Sequence, residues 1–292
     1  MARLICIDDD VPAETIALLR AASERRNVAF EIIEAAGFDY LPERRLAGGD
    51  LLYCPATSQR AGAVERYLYG PGVVGLRTDP LGPFAEVGGA PTLFERHGLP
   101  TPRHFPVGAV TPDLLNLIVD ELGGFPVVVK VPGGSGGIGV MRADSMPALK
   151  SLLEFLSAKG VLPFVSSYVP DAVCWRVIVV GDRALAAYRN PVHDGDFRSR
   201  QSSRKEDYFS EVSADIASLA INAVKSLRIE FGGIDLLEHQ SGRLYLLEVN
   251  FPCYFAPADL VGGLDVSGAL IDYMLAKHRD TKRLHQSPAW PS

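Results

Sequence analysis

The chain has 292 residues, 47% of them hydrophobic and 22% charged, a composition that excludes a disordered or fibrous protein and allows about two domains with buried cores. Its 29 Lys and Arg against 35 Asp and Glu give a formal charge of −6, which excludes a duplex nucleic acid held by overall electrostatics. The apolar runs at 127–129 and 177–180 are far shorter than a membrane span of ~18 residues, and four scattered cysteines without a Cys-x-x-Cys pair exclude a zinc site or a disulfide framework.

Met1 to Ile7 runs straight into Asp8, Asp9 and Asp10 with no apolar leader, so a cytoplasmic protein with free buried thiols is expected, with no membrane and no nucleic-acid partner. Residues 3–7, 30–33 and 50–54 are predicted strands and 13–25 a helix carrying Ile16, Leu19 and Ala22. Strand, helix, strand implies a small α/β unit with parallel pairing. Gly and Pro then crowd residues 70–91, and the domain boundary is expected near residue 80. A short helix at 91–97 stops at Gly98 and Pro100, and Thr111-Pro112 opens another as N-cap and first helical residue. Phe125 to Val131 and residues 138–141 form a predicted hairpin, and Ser145 is expected to cap a helix bearing Leu149, Leu152, Leu153 and Leu156. Strands at 162–169, 174–180 and 184–188, a helix from Ser213, and a last hairpin of 234–238 with 243–250 complete the pattern, and a mobile tail is expected over 281–292.

Seven of the 28 glycines fall between 123 and 139. Gly134-Ser135-Gly136-Gly137-Ile138-Gly139 fits G-x-G-x-x-G, but no helix follows directly, so the dinucleotide fingerprint is rejected, and no Lys-Ser or Lys-Thr follows to make a Walker A loop. What remains is a glycine flap between antiparallel strands whose N–H groups can close over phosphates. Lys130, at the end of a buried strand, needs an anion there.

If the last hairpin turns symmetrically about Ser241 and Gly242, Asp235 faces Glu248, and period two puts Asn250 on the face of Glu248. Opposed carboxylates are destabilising by themselves, and two carboxylates with an amide oxygen suit Mg²⁺ bridging phosphates. Between Asp171 and Lys205 seven cations stand against four acids. Arg198 and Arg200 offer forks for a phosphoryl or carboxylate group, and Arg176 lies inside an apolar strand where an unpaired charge is costly.

In chain order, Phe125-Pro126-Val127-Val128-Val129-Lys130, the flap, Tyr168-Val169, Arg176 to Asp182, Gly195-Asp196-Phe197-Arg198-Ser199, Gly233-Ile234-Asp235 and Leu247-Glu248-Val249-Asn250 resemble the ATP-grasp superfamily, most closely its RimK-like carboxylate–amine ligases. The resemblance covers roughly residues 90–276. It implies an α/β (α+β) ATP-grasp fold: a pre-grasp domain at 1–80, subdomain A with the flap at 81–160 and subdomain B with the metal site at 161–280, with ATP between the subdomains. It further implies ATP and Mg²⁺, two ions with Mn²⁺ as a substitute, a γ-phosphoryl transfer to a small carboxylate substrate, and attack on the acylphosphate by an amine substrate. A homodimer is a family-level expectation.

Carried over, Lys130 contacts the phosphates and Ser135, Gly136, Gly137, Ile138 and Gly139 cover them; Ser167, Tyr168 and Val169 form the adenine hinge; Asp235, Glu248 and Asn250 hold the metal. Arg198, with Ser199 and Arg200, approaches the γ-phosphate, and Arg198 and Arg176 are the candidate catalytic residues. Three departures stand out: Ser166-Ser167-Tyr168 where many relatives have Gln-Glu-Tyr, Cys174 at the usual place of an acidic ribose ligand, and the aromatic stretch Phe251-Pro252-Cys253-Tyr254-Phe255 after Asn250. A kinase that stops at a phosphorylated product and a nucleotide-binding module without turnover remain open as alternatives.

Overall fold

The computed structural model describes residues 2–78, 90–131, 136–192 and 196–286. The expected boundary near residue 80, Gly133, Gly134 and Ser135 of the flap, and His193 and Gly195 of the basic segment lie outside the described residues.

The chain opens with β1 (Arg3–Asp8), α1 (Ala13–Arg25), β2 (Ala29–Glu34), β3 (Leu51–Tyr53) and α2 (Gln59–Leu68), and the three strands form a parallel sheet in the order β2-β1-β3. Central β1 is buried on both faces, which is why Leu4 to Ile7 read as an unbroken apolar run. Alternation sends Leu4 and Cys6 toward Leu19 and Ala22 of α1, and Ile5 and Ile7 toward Ala61, Val64 and Leu68 of α2. Helix α2, absent from the sequence-based elements, is capped by Ser58, whose Oγ accepts the Ala61 N–H at 3.0 Å.

After α3 (Ala90–Arg96), β4 (His104–Pro106), α4 (Pro112–Glu121), β5 (Val127–Lys130), β6 (Val140–Ala143), α5 (Met146–Ala158) and β7 (Phe164–Ser167) build an antiparallel sheet in the order β4-β7-β5-β6. Val127, Val129, Ala143 and Val165 face Leu115, Ile118, Leu149 and Leu153 of the two longer helices, so Val128 and Lys130 point to the opposite side. Thr111 caps α4 as expected, but Ser145, although at the N-cap position of α5, makes no side-chain capping bond.

A second antiparallel sheet, β10-β9-β8-β11-β12, contains β8 (Ala172–Val180), β9 (Arg183–Asn190), β10 (Tyr208–Phe209), β11 (Phe231–His239) and β12 (Leu244–Asn250). One face carries Trp175, Val177, Ile234, Leu236, Leu246 and Val249 under α6 (Ala214–Ser226). The other face is divided. Ile178, Val180, Tyr188 and Phe231 lie beneath α7 (Ala256–Leu260), α8 (Val266–Gln286) and the N-terminal sheet; Cys174, Arg176, Asp235, Glu248 and Asn250 lie beyond that cover. Helix α8 continues through Gln286, with Leu270, Ile271 and Met274 anchoring its first turns in the core; residues 287–292 of the expected tail lie outside the described residues. Among the described residues no helix is long and apolar enough to cross a membrane.

Candidate active site

A cleft of about 590 Å³ lies where the three units meet, within the usual range for a small-molecule site. Lys130, Phe164 and Ser166 come from the flap sheet, Leu247, Glu248 and Asn250 from β12, and Ser58, Glu65 and Arg77 from the N-terminal unit.

The carboxylate pair owes its placement to a bulge. Near the turn Leu236 faces Leu246 and Leu237 faces Tyr245, one residue tighter than a turn symmetric about Ser241 and Gly242. The register shifts between Asp235 and Leu236, and only then does Asp235 face Glu248 and Gly233 face Asn250. Leu247 is the extra residue. Leu246 and Val249, three apart, therefore both reach the α6 core, while Leu247 and Glu248 both line the cleft.

β8 lies on the other side of β11 and sets Arg176 opposite Asp235. The guanidinium grips the carboxylate with both arms, Nη2 to Oδ2 at 2.7 Å and Nε to Oδ1. A Cβ on Gly233 would come within 3.1 Å of the Arg176 Cδ and 2.7 Å of the Cys253 Sγ, so glycine at 233 makes room for this grip. Burial opposes the charge on Arg176, but Asp235 outweighs it and holds the guanidinium firmly protonated. Desolvation in the cleft, with the Asp235 charge added, holds the Glu248 carboxyl above the usual carboxylate range. Asn250 Nδ2 bridges the pair at 3.2 Å from Glu248 Oε1 and 3.4 Å from Asp235 Oδ2.

Lys130 faces this group from the flap sheet. Burial lowers its pKa while Glu248 and Asp235 oppose that shift, so an ammonium and two carboxylates share one desolvated space. At the flap, the Val131 N–H donates to the Gly139 carbonyl at 2.8 Å, Ile138 is 75% exposed, and Arg198 Nη1 donates to the Gly137 carbonyl at 3.1 Å. The rest of the Arg198 fork holds Asp196, which Arg200 also approaches at 3.5 Å, so these two cations share one acid of their own loop. Asp196 is held far below the usual carboxylate range by its hydrogen bonds from Arg198. Burial pushes the Cys174 thiol up to about 12. All four cysteines are buried and free.

Of the expected site residues, Lys130, Glu248 and Asn250 line the cleft directly, and Asp235 is joined to them through Asn250. Ser167, Tyr168 and Val169 leave the end of β7, where the Ser167 N–H is taken by the Arg103 carbonyl at 2.9 Å and the Tyr168 ring lies 4.9 Å beneath the Arg142 guanidinium. Among the described residues no three His, Cys, Asp or Glu side chains gather into a metal site. The set available is two carboxylates and one amide. It fits Mg²⁺, a hard cation that keeps waters and takes phosphate oxygens besides a few protein ligands, provided Asn250 presents its Oδ1. Asp235 retains lone pairs beyond the two used by Arg176. The N-terminal wall was missed in the sequence; its signal was the polar turn Thr57-Ser58 after an apolar strand, at the carboxyl end of a parallel sheet.

Residues 91–274 match the RimK-like ATP-grasp domain. The chain is 30% identical over 188 residues to a "Probable alpha-L-glutamate ligase" of Trichodesmium erythraeum (62% of this chain, 60% of that protein). It is 28% identical over 176 residues to a "Ribosomal protein bS6--L-glutamate ligase" of Escherichia coli (60% and 58%). The chain thus spans about three fifths of the length of these curated relatives. Among solved structures, the ATP-grasp ligase PsnB complexed with minimal precursor superposes with a TM-score of 0.71 at 16% identity, covering 94% of this chain and 98% of that one. The D-alanine--D-alanine ligase of Bacillus anthracis complexed with ATP gives 0.67 at 18% identity, covering 97% and 99%. Two sheets facing across a cleft, a glycine flap on one and a carboxylate pair on the other, are the ATP-grasp fold, and the chain belongs to the RimK-like ATP-grasp family.

Proposed function

We propose that the chain is an ATP-dependent carbon–nitrogen ligase that joins a small carboxylate to an amine, releasing ADP and phosphate. The observation that carries this reading is the desolvated group of Lys130, Asp235, Glu248 and Asn250, brought together where the flap sheet meets β11 and β12. An ammonium can meet phosphate oxygens, and two carboxylates with an amide suit a hard cation that the same phosphates also bind. In this reading Lys130 and the flap residues Gly136 to Gly139, with Ser135, hold the ATP phosphates; Ser167, Tyr168, Val169 and Cys174 line the nucleoside side; and Arg198, Ser199 and Arg200 meet the transferring group. Asp235, Glu248 and Asn250 would hold Mg²⁺, two ions or Mn²⁺ in its place, which neutralises charge on the phosphoryl oxygens. The substrate carboxylate attacks the γ-phosphorus and ADP leaves; the amine then attacks the acyl carbon, phosphate leaves, and the surplus proton passes to solvent. Arg176 acts by holding Asp235. The protein works in the cytoplasm, as a monomer or a homodimer.

The test is product analysis with ATP, Mg²⁺ and pooled amino acids and amines. ADP and phosphate are expected, and hydroxylamine should trap the activated acid as a hydroxamate. AMP and pyrophosphate would refute the acylphosphate route, and a stable phosphorylated product without amine would make the protein a kinase.

The flap gives a second expected result. Gly139 has φ +82°, and a Cβ there would stand 3.2 Å from the Val131 Cβ, so Gly139→Ala strains the flap root by about 1–3 kcal/mol. Displacing the flap relieves the strain. The KM for ATP should rise about tenfold or more with little change in the melting temperature; unchanged KM for ATP would remove the flap from nucleotide binding.

A further inference from the structure

Arg198 is held from two elements at once. Its Nη1 donates to the Gly137 carbonyl of the flap at 3.1 Å, across 61 residues of sequence, while its Nε and Nη2 donate to Asp196 Oδ1 and Oδ2 at 2.9 and 3.0 Å. Gly137 has φ +80°, and a Cβ there would stand 3.3 Å from the Arg198 Cδ, so glycine makes room for this contact. Asp196 is itself pinned. Its Oδ1 accepts the Phe197 N–H at 2.8 Å and the Arg198 N–H at 3.0 Å, and the chain on either side is tied by the bridge of Val192 with Ser199 and by the Arg200 N–H on the Pro191 carbonyl at 2.9 Å.

A guanidinium carries five N–H donors. Asp196 takes the edge formed by Nε and Nη2, and Gly137 takes one N–H of Nη1. One N–H on each Nη is left, and among the described residues no acceptor takes either. A planar fork with a free N–H on each terminal nitrogen matches two oxygens of a phosphoryl or carboxylate group. Stability does not account for the grip. The Arg198 side chain is 36% exposed, and an ion pair that open to water contributes little to stability. What the grip does fix is direction, since a free arginine side chain must lose its rotamer freedom at the moment a ligand orders it. Hydrogen bonds from Arg198 hold Asp196 far below the usual carboxylate range, so the grip is fully charged at neutral pH.

We infer that Asp196 is a positioning residue of the phosphoryl-transfer step: it holds Arg198 so that the two remaining N–H groups meet the γ-phosphoryl oxygens while the substrate carboxylate oxygen bonds to phosphorus and the bond to the departing ADP oxygen breaks. This rests on the reading of Arg198 given above and deepens it with a residue that touches neither nucleotide nor substrate.

Asp196→Asn isolates the role. The amide keeps an Oδ1 for the Phe197 and Arg198 N–H groups, so the turn is retained, but it sets an NH₂ against Arg198 Nη2 in place of the second oxygen. Calorimetry on the full-length chain compares MgADP with MgADP plus aluminium fluoride, a stand-in for the transferring phosphoryl group, for the native chain, Asp196→Asn, Arg198→Lys and the double variant. The native chain should bind the fluoride complex more tightly than MgADP alone. Asp196→Asn should weaken the fluoride complex about tenfold to a hundredfold, with MgADP affinity and the melting temperature unchanged. With pooled amino acids and amines its kcat should fall by a similar factor and its KM for ATP should hold. In the Arg198→Lys background the same substitution should change little, because the fork it aims is gone. Equal weakening of both ligands, a lowered melting temperature, or losses that simply multiply in the double variant would each overturn the inference. So would a native chain that shows no preference for the fluoride complex. The ligase reading is judged separately. ADP release by Asp196→Asn at the native rate refutes the positioning role and keeps the ligase; no release from the native chain, with the fluoride preference present and lost in Asp196→Asn, refutes the ligase and keeps the positioning role.

Discussion

Glu248→Gln is expected to lower ADP release by about a thousandfold while leaving the fold intact or slightly firmer. The two expectations have one cause. Glu248 and Asp235 face each other across the β11–β12 ladder, and like charges directly opposed in a sheet cost a few tenths of a kcal/mol to about 1. An amide at 248 removes that repulsion and keeps the shape, so the melting temperature should hold or rise. It also removes one of the two carboxylates whose charges act on Lys130, and with it several kcal/mol of cation binding at the transferring phosphoryl group, each 1.4 kcal/mol being a factor of ten. Steady-state ADP release and a thermal melt on the same sample separate the two effects. Wild-type turnover would remove Glu248 from the metal site; a collapsed melt would make its role structural.

The route to Glu248 shows where the sequence was legible and where it was not. The apolar runs of β8, β11 and β12 announced strands because the sheet buries Val177, Ile234 and Val249 on one side and Ile178 and Phe231 on the other. Asp235 opposite Glu248 was also foreseen, but through a turn that the chain does not make. The turn is one residue tighter and the bulge at Leu247 restores the register. No glycine or proline marks that bulge, because what fixes it is the demand of the α6 core for both Leu246 and Val249. Helix α2 escaped notice because its cleft face is polar and its apolar face is narrow, Ala61, Val64 and Leu68 being three residues within ten. With α2 unseen, Glu65 had no place in the site. Arg176 stands out in the sequence as a charge inside an apolar strand and in need of a partner, but nothing there names the partner. Asp235 is 59 residues away in sequence, and only the pairing of β8 with β11 makes it a neighbour.

That pairing carries the second large effect. Arg176→Met is expected to destabilise the metal-free protein by about 3–5 kcal/mol, since it leaves the buried Asp235 carboxylate without its counter-charge. Removing both charges should cost far less than removing the arginine alone, so Arg176→Met combined with Asp235→Asn should recover most of the loss. The variant also bears on the metal. In the native protein Arg176 already neutralises Asp235, and a cation entering beside Glu248 and Asn250 shares a carboxylate whose charge is partly spent. Without Arg176 the same cation meets the full charge of both carboxylates. Mg²⁺ should therefore stabilise Arg176→Met more than the native chain, by about 1.4 kcal/mol for each tenfold gain in affinity at saturating metal. Urea unfolding with Mg²⁺ and with EDTA, on the native chain and the variant, measures this difference directly. Equal Mg²⁺ stabilisation in both would mean that the cation does not touch Asp235, and the metal site would then rest on Glu248 and Asn250 without it.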